Sequence, residues 1–186
     1  MKKLTKLLQV LLLIVIFVMA STSSYYVKAV DIVAQDTWGD NISWTLDSEG
    51  TLTITGDGDM YTETMSDSPW IDYKDQVINV VFNGNITSIS NRAFQEHTNL
   101  KSITLPDTIT EIGLRAFAEC PNLETVNMPE NLIQIGMGAF INCTALESVE
   151  LPERVMYIGE YAFDGCTALK TLTVQSDLAL FDEKNV

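Results

Sequence analysis

The sequence predicts an α/β repeat solenoid, mainly β, of about five rungs behind an N-terminal β-hairpin cap, and three observations predict it. An Ala-Phe pair returns every 23 residues, at Phe94, Phe117, Phe140 and Phe163. Six apolar columns keep the same step over four units, among them Ile89, Ile112, Ile135, Ile158 and Leu100, Leu123, Leu146, Leu169. The stretch ahead of the repeats follows a period of two instead, with Ile42, Trp44 and Leu46 alternating with polar residues. A unit this short cannot bury its apolar set alone, so the units must stack.

The chain opens with Lys2, Lys3 and Lys6, then an apolar run from Leu7 to Ala20 broken only by Gln9, then small and polar residues to Ala29. This is the layout of a secretory signal peptide over 1–29, and the 14-residue run is short for a bilayer span. Cleavage is expected after Ala29, with Ala20 as the other small-residue site and an uncleaved anchor as the alternative. Residues 30–76 form the expected cap: the Ile42–Leu46 alternation, a turn over Asp47 to Gly50, and a second alternation through Leu52 and Ile54. It holds 11 acids and one lysine, which makes it the most acidic region.

Residues 77–175 are the repeats. In Leu100, Lys101, Ser102, Ile103, Thr104, Leu105 the first, fourth and sixth residues are apolar, a short strand with one buried side. Pro106 removes a ladder donor and ends it. A second extended piece, Ile109 to Ile112, leads to Gly113, read as a turn residue with free φ, and the Ala-Phe pair is expected on a short helical or irregular turn. One step back from Leu100, Ile103 and Leu105 lie Val77, Val80 and Phe82, a further rung. One step forward, Leu178 and Phe181 begin a coil within 176–186 that has no Ala-Phe pair, so self-association through this open C-terminal coil is expected.

A period of 23 lies in the leucine-rich repeat range. The run Ile112-Gly113-Leu114-Arg115-Ala116-Phe117-Ala118-Glu119-Cys120-Pro121-Asn122-Leu123 resembles the BspA-like leucine-rich repeat family of secreted and surface bacterial proteins. Trp44 to Ile54, followed by Pro69-Trp70, is similar to the β-rich head that precedes such repeats. The resemblance covers about 36–175 and implies a right-handed solenoid and, for some members, adhesion to matrix proteins or cells. It brings no shared catalytic residues. The chain departs from the pattern where His97 stands for the repeat cysteine, where Gln175 stands for the repeat proline, and in the last coil.

Charge excludes several functions. There are 11 Lys plus Arg against 25 Asp plus Glu, and a chain starting at Val30 keeps seven basic residues, a net of −18. Phosphate backbones and anionic lipid are both repelled, so neither nucleic acid nor a membrane beyond the signal segment is an expected partner. No cofactor is expected. His97, Cys120, Cys143 and Cys166 also stand 23 apart and form one inward row. One zinc cannot collect them, because rungs about 4.8 Å apart separate the outer two by roughly 14 Å. A His97-Cys120 dyad lacks an oxyanion hole and a cleft, so the chain is read as no enzyme and the row as packed thiols rather than disulfides. Asp57 and Asp59 are read as a solvated turn without the calcium-loop spacing, and three Asn-X-Ser/Thr triplets at Asn41, Asn85 and Asn142 carry little weight.

The outward strand positions are the candidate binding face: Lys101, Ser102, Thr104; Glu124, Thr125, Asn127; Glu147, Ser148, Glu150; and Lys170, Thr171, Thr173. They include no Trp, Tyr or Arg, the side chains that most often anchor interfaces. The reading that results is a secreted or cell-surface protein-binding and adhesion module whose partner is an extracellular protein or a cell-surface ligand. Its alternative is a structural or accessory piece of a larger surface assembly.

Overall fold

The computed structural model describes residues 29–38, 41–60 and 68–175. Residues 1–28, nearly all of the expected signal segment 1–29, and the tail 176–186, with Leu178 and Phe181, lie outside the described residues. The first three strands are antiparallel: β1 (Ile32–Trp38) pairs with β2 (Ile42–Asp47), and β2 with β3 (Thr51–Gly56). Asp47 fixes the β2–β3 turn, its Oδ1 accepting from the N–H groups of Glu49 and Thr51, both at 2.9 Å. Ile42, Trp44, Leu46, Leu52 and Ile54 are buried on one side of this sheet. The alternation over β2 and β3 is visible in the sequence. β1 is not, because Asp36 sits opposite Trp44 on the apolar side.

The chain then winds through one five-stranded parallel back sheet and a row of front strands that pair in parallel two by two. The back sheet runs in order β4 (Gly58–Asp59), β6 (Ile86–Ile89), β8 (Glu111–Ile112), β10 (Gln134–Ile135) and β12 (Tyr157–Ile158). The front strands are β5 (Asn79–Asn83), β7 (Ser102–Thr104), β9 (Thr125–Asn127), β11 (Ser148–Leu151) and β13 (Thr171–Val174). β7 pairs with β9 and β11 with β13, both parallel, and the 23-residue step sets each register: Ile103 faces Val126, and Val149 faces Leu172. β5 joins the two architectures: it stands one repeat step before β7 and pairs in parallel with β3.

The Ala-Phe segments form a third hydrogen-bonded side. Alternate N–H groups reach the next coil: Arg92 to Leu114 O at 2.9 Å, Phe94 to Ala116 O at 2.7 Å and Glu96 to Ala118 O at 2.8 Å. Those between them turn back within the coil, Gln95 to Arg92 O and His97 to Phe94 O. The alternation requires left-handed backbone at two positions per coil. These are the column Arg92, Arg115, Gly138, Tyr161 and the column Glu96, Glu119, Asn142, Gly165, with φ between 51° and 72°. The α component of the expected class is therefore corrected. Left-handed residues this frequent prevent helix propagation, and the described residues contain no α-helix, only a 3₁₀ turn at Ile71–Tyr73.

Gly113 also differs from expectation. Its φ is not positive. A β-carbon there would meet the backbone N of Asn91 at 2.7 Å, and at Gly136 it would meet Gly113 C at 2.6 Å. This column is glycine because successive coils touch through their backbones, not because the dihedral demands it.

Inside, the phenylalanines stack. Phe94 and Phe117 lie 5.2 Å apart at 11°, Phe117 and Phe140 5.1 Å at 5°, and Phe140 and Phe163 5.4 Å at 2°. Trp70 continues the stack onto Phe94 at 5.8 Å and 28°, and its indole N–H donates to Ala93 O at 2.7 Å. Each buried ring contributes roughly 1.5–3 kcal/mol by transfer from water. Among the described residues no helix is long and apolar enough to cross a membrane.

Candidate functional site

Strand pleating decides what the front side presents. Ile103, Val126 and Val149 are buried on β7, β9 and β11, and Leu172 packs against the same core from β13. The residues that alternate with them face outward. All twelve candidate positions, from Lys101 to Thr173, are exposed. No α-helix lies over them, the described residues containing none.

Their hydrogen bonds divide these residues into two groups. Asn127 is occupied by its own fold: Oδ1 accepts from Leu105 N at 2.7 Å and Nδ2 donates to Leu105 O at 3.0 Å. It extends the β7–β9 ladder by one side-chain rung. Lys170 pairs with Glu147 at 3.3 Å, and Glu150 accepts from Gln175 Nε2 at 2.7 Å. Lys101, Ser102, Thr104, Glu124, Thr125, Ser148, Thr171 and Thr173 have no side-chain hydrogen bond among the described residues. They are the groups available to a partner.

Beside the strands lies a groove of about 700 Å³, whose lining includes Asn127, Glu130, Glu150, Glu153 and Arg154. Glu130 and Glu153, one 23-residue step apart, both line it. Arg154 is tethered there, donating to Asn131 Oδ1 at 3.0 Å. Three carboxylates against one guanidinium give the groove negative potential.

Sequence reasoning missed how far the front side continues. One step back from Lys101, Ser102 and Thr104 stand Ile78, Asn79 and Val81, all exposed. Through the β3–β5 pairing the surface runs on to Thr51, Thr53 and Thr55. The step that located Val77, Val80 and Phe82 inside also locates these residues outside.

The His97 and cysteine row is inward. His97, Cys120 and Cys143 are fully buried, and Cys166 is 8% exposed. The three thiols are free, and each donates one coil back: Cys120 to Phe94 O at 3.0 Å, Cys143 to Phe117 O and Cys166 to Phe140 O, both at 3.1 Å. Burial pushes the Cys120 thiol up to about 12 and that of Cys166 to about 11, and it raises Cys143 further. Thiols in this state are poor nucleophiles. His97 stacks edge-on against Phe94 at 5.5 Å, and burial lowers its pKa to about 4. Asp57 and Asp59 are engaged within the fold. Asp57 Oδ1 accepts from the backbone and side-chain nitrogens of Asn85 at 3.0 and 2.8 Å, and Asp59 Oδ1 accepts from the Thr87 hydroxyl.

A family model described as a BspA type leucine rich repeat region matches residues 72–185 in six copies. Among solved structures, a leucine-rich repeat protein from Eubacterium ventriosum is 25% identical at a TM-score of 0.61, with 77% of this chain and 45% of that one covered. A leucine rich repeat protein of T. pallidum is 23% identical at 0.53, covering 75% and 83%. One from Bacteroides ovatus is 21% identical at 0.53, covering 72% and 40%. At their identities the last two speak to the fold alone, and this chain spans less than half of the first and third. A search of curated proteins gave no match.

Proposed function

The chain belongs to the BspA-type leucine-rich repeat proteins, and from that premise we propose that it is a secreted or cell-surface binding and adhesion module without catalytic activity. The observation that carries this reading is the front side itself: exposed polar residues on successive parallel strands, eight of the twelve with no side-chain hydrogen bond within the described residues. Repeat proteins recognise partners with surfaces of this kind. The partner is an extracellular protein or a cell-surface ligand, and the N-terminal antiparallel strands act as the cap that closes the first rung. Three buried high-pKa thiols and one buried imidazole offer no nucleophile to solvent.

The net of −18 from Val30 onward favours basic or cation-bridged partners over polyanions such as heparin. A flat face without Trp, Tyr or Arg gives dissociation constants on the order of micromolar rather than nanomolar. Solid-phase binding to matrix proteins and to cells tests the proposal, comparing wild type with the combined Glu124→Lys, Glu147→Lys, Glu150→Lys variant. Wild-type binding lost in the variant is the expected result. Equal binding by both would move the site off the strands, and turnover abolished by His97→Ala would overturn the non-catalytic reading.

A further inference from the structure

The row of Cys120, Cys143 and Cys166 stitches each coil to the one before it, because every thiol donates to a phenylalanine carbonyl 26 residues upstream. At the first position of the row the stitch is missing. His97 is fully buried, and its Nδ1 bonds the carbonyl of Gln95 at 3.1 Å within its own coil. A carbonyl only accepts, so Nδ1 carries the proton and Nε2 is left as a bare acceptor. Nε2 is buried and has no hydrogen-bond partner among the described residues. A second proton would add an N–H and a positive charge at a fully buried site, where the Phe94 carbonyl and Asp75 are what favours them and desolvation opposes them.

This position is the seam where the N-terminal part meets the repeats. Across it Trp70 lies on Phe94 and bonds Ala93 O, Lys74 pairs with Glu96, and Asp75 accepts from Thr98 Oγ1 at 3.2 Å and, through its carbonyl, from Asn99 Nδ2 at 2.7 Å. The charged groups acting on the imidazole are Lys74, which opposes a proton, and Asp75, which favours one. Glu96 lies in its own turn and is held by Lys74, while Cys120 packs from the next coil as a neutral thiol.

We propose that His97 makes the junction between the N-terminal sheet and the repeats an acid-sensitive seam, which opens when the imidazole takes its second proton while the repeats stay folded. Burial disfavours the charged form more than the Gln95 and Phe94 carbonyls and Asp75 favour it. The unfolded junction therefore binds protons that the folded one excludes. Junction stability is complete above the ordinary histidine value of about 6.5 and falls as pH drops toward 4. An exported protein that meets acid would thereby release its N-terminal sheet, which includes β5, from the coils that follow without dismantling the repeats.

Placement of the tryptophans makes the test selective, since all three, Trp38, Trp44 and Trp70, lie on the N-terminal side of the seam. Tryptophan emission is followed from pH 7 to pH 4, with hydrogen exchange of the β9 and β11 amides read in parallel. The expected result is a red shift between pH 6 and 4 with repeat protection kept. His97→Cys, which restores the row, and His97→Gln, which keeps a neutral polar group, each remove the shift or move it down by at least one pH unit. Glu96→Gln, which removes the other acid-titrating contact, leaves it in place. Flat wild-type emission, loss of repeat protection at the same pH, or a shift that survives both His97 variants overturns the proposal.

Discussion

The N-terminal sheet and the repeats bury aromatic rings by opposite strategies. On the N-terminal side Trp38 and Trp44 of the sheet meet Trp70 and Tyr73 of the 3₁₀ turn at 5.0–6.0 Å with planes crossed by 54–88°, each contact different from the next. In the repeats one phenylalanine pair recurs, with spacings of 5.1–5.4 Å and planes within 11°. The strands differ likewise: six or seven residues in β1, β2 and β3, against two to four in β7 to β13. Long antiparallel strands can be held by their own ladder and one irregular cluster. Strands of two residues cannot, and they persist because successive coils are bonded along the back sheet, along the Ala-Phe segments and, from Lys101 onward, along the front strands.

Cutting the ring column should separate the two strategies most strongly. Phe117 has a ring on each face, at 5.2 and 5.1 Å, and is fully buried. Phe117→Ala is expected to cost about 3–5 kcal/mol, read by guanidinium unfolding followed in the far ultraviolet. A loss under about 1 kcal/mol would mean that neighbouring coils collapse into the gap and that the column is not what holds the repeats.

Two glycines sharpen the contrast at lower energy. Gly136 is confined by contact, its missing β-carbon 2.6 Å from Gly113 C, whereas Gly58 has open space and a φ of +92°. Gly136→Ala and Gly136→Asn should each cost roughly 1–3 kcal/mol through backbone crowding. Gly58→Asn should cost only a few tenths of a kcal/mol, since asparagine tolerates the left-handed region. Equal losses at both sites would show that the coils are not in backbone contact at Gly136.

How legible each region was follows from the same contrast. A column repeats its evidence four times, so Phe94 to Phe163, Leu100 to Leu169 and the row from His97 to Cys166 can be placed inside from spacing alone. Single-copy features offer no such check. β1 hides because Asp36 shares the side of Ala34 and Trp38, and Gly58-Asp59 reads as a turn although it begins the back sheet. Trp70 takes the first place in the ring stack at a step of 24 rather than 23, so periodicity passes over it. The left-handed columns were hidden for another reason: glycine marks them only at Gly138 and Gly165, while arginine, glutamate, asparagine and tyrosine occupy the rest. On the candidate face, exposure follows from alternation, but the occupation of Asn127 by Leu105 is a contact 22 residues away in sequence.

Alkali should probe the repeats as acid probes the seam. The folded thiols hold their protons above the ordinary value of 9.0, so the folded state binds more protons than the unfolded chain in that range. Stability is complete below about pH 9 and falls as pH rises toward 12, by up to about 1.4 kcal/mol per pH unit for one thiol. Cys120→Ala should flatten this decline without touching the acid limb. At neutral pH all three thiols should resist a thiol reagent until the protein is denatured, and fast labelling of the native protein would contradict the packed row.

The smallest expected effect concerns the left-handed columns, where the repeats carry strain that the N-terminal strands meet mainly with glycine. Arg115 sits at φ 51° in a column where Gly138 serves equally well one coil later. Its guanidinium makes no side-chain hydrogen bond or ion pair among the described residues, so nothing local offsets the conformation. A left-handed non-glycine residue costs roughly 1–2 kcal/mol, and the extra chain entropy of glycine returns about 0.5–1 kcal/mol of that. Arg115→Gly should therefore raise stability by about 0.5 kcal/mol. The matched change Glu111→Gly on the back strand β8, where φ is not positive, should lower it by a similar amount. The two melting temperatures should move in opposite directions from wild type. If both fall, the chain entropy that glycine adds to the unfolded state outweighs the relief of the left-handed backbone at Arg115.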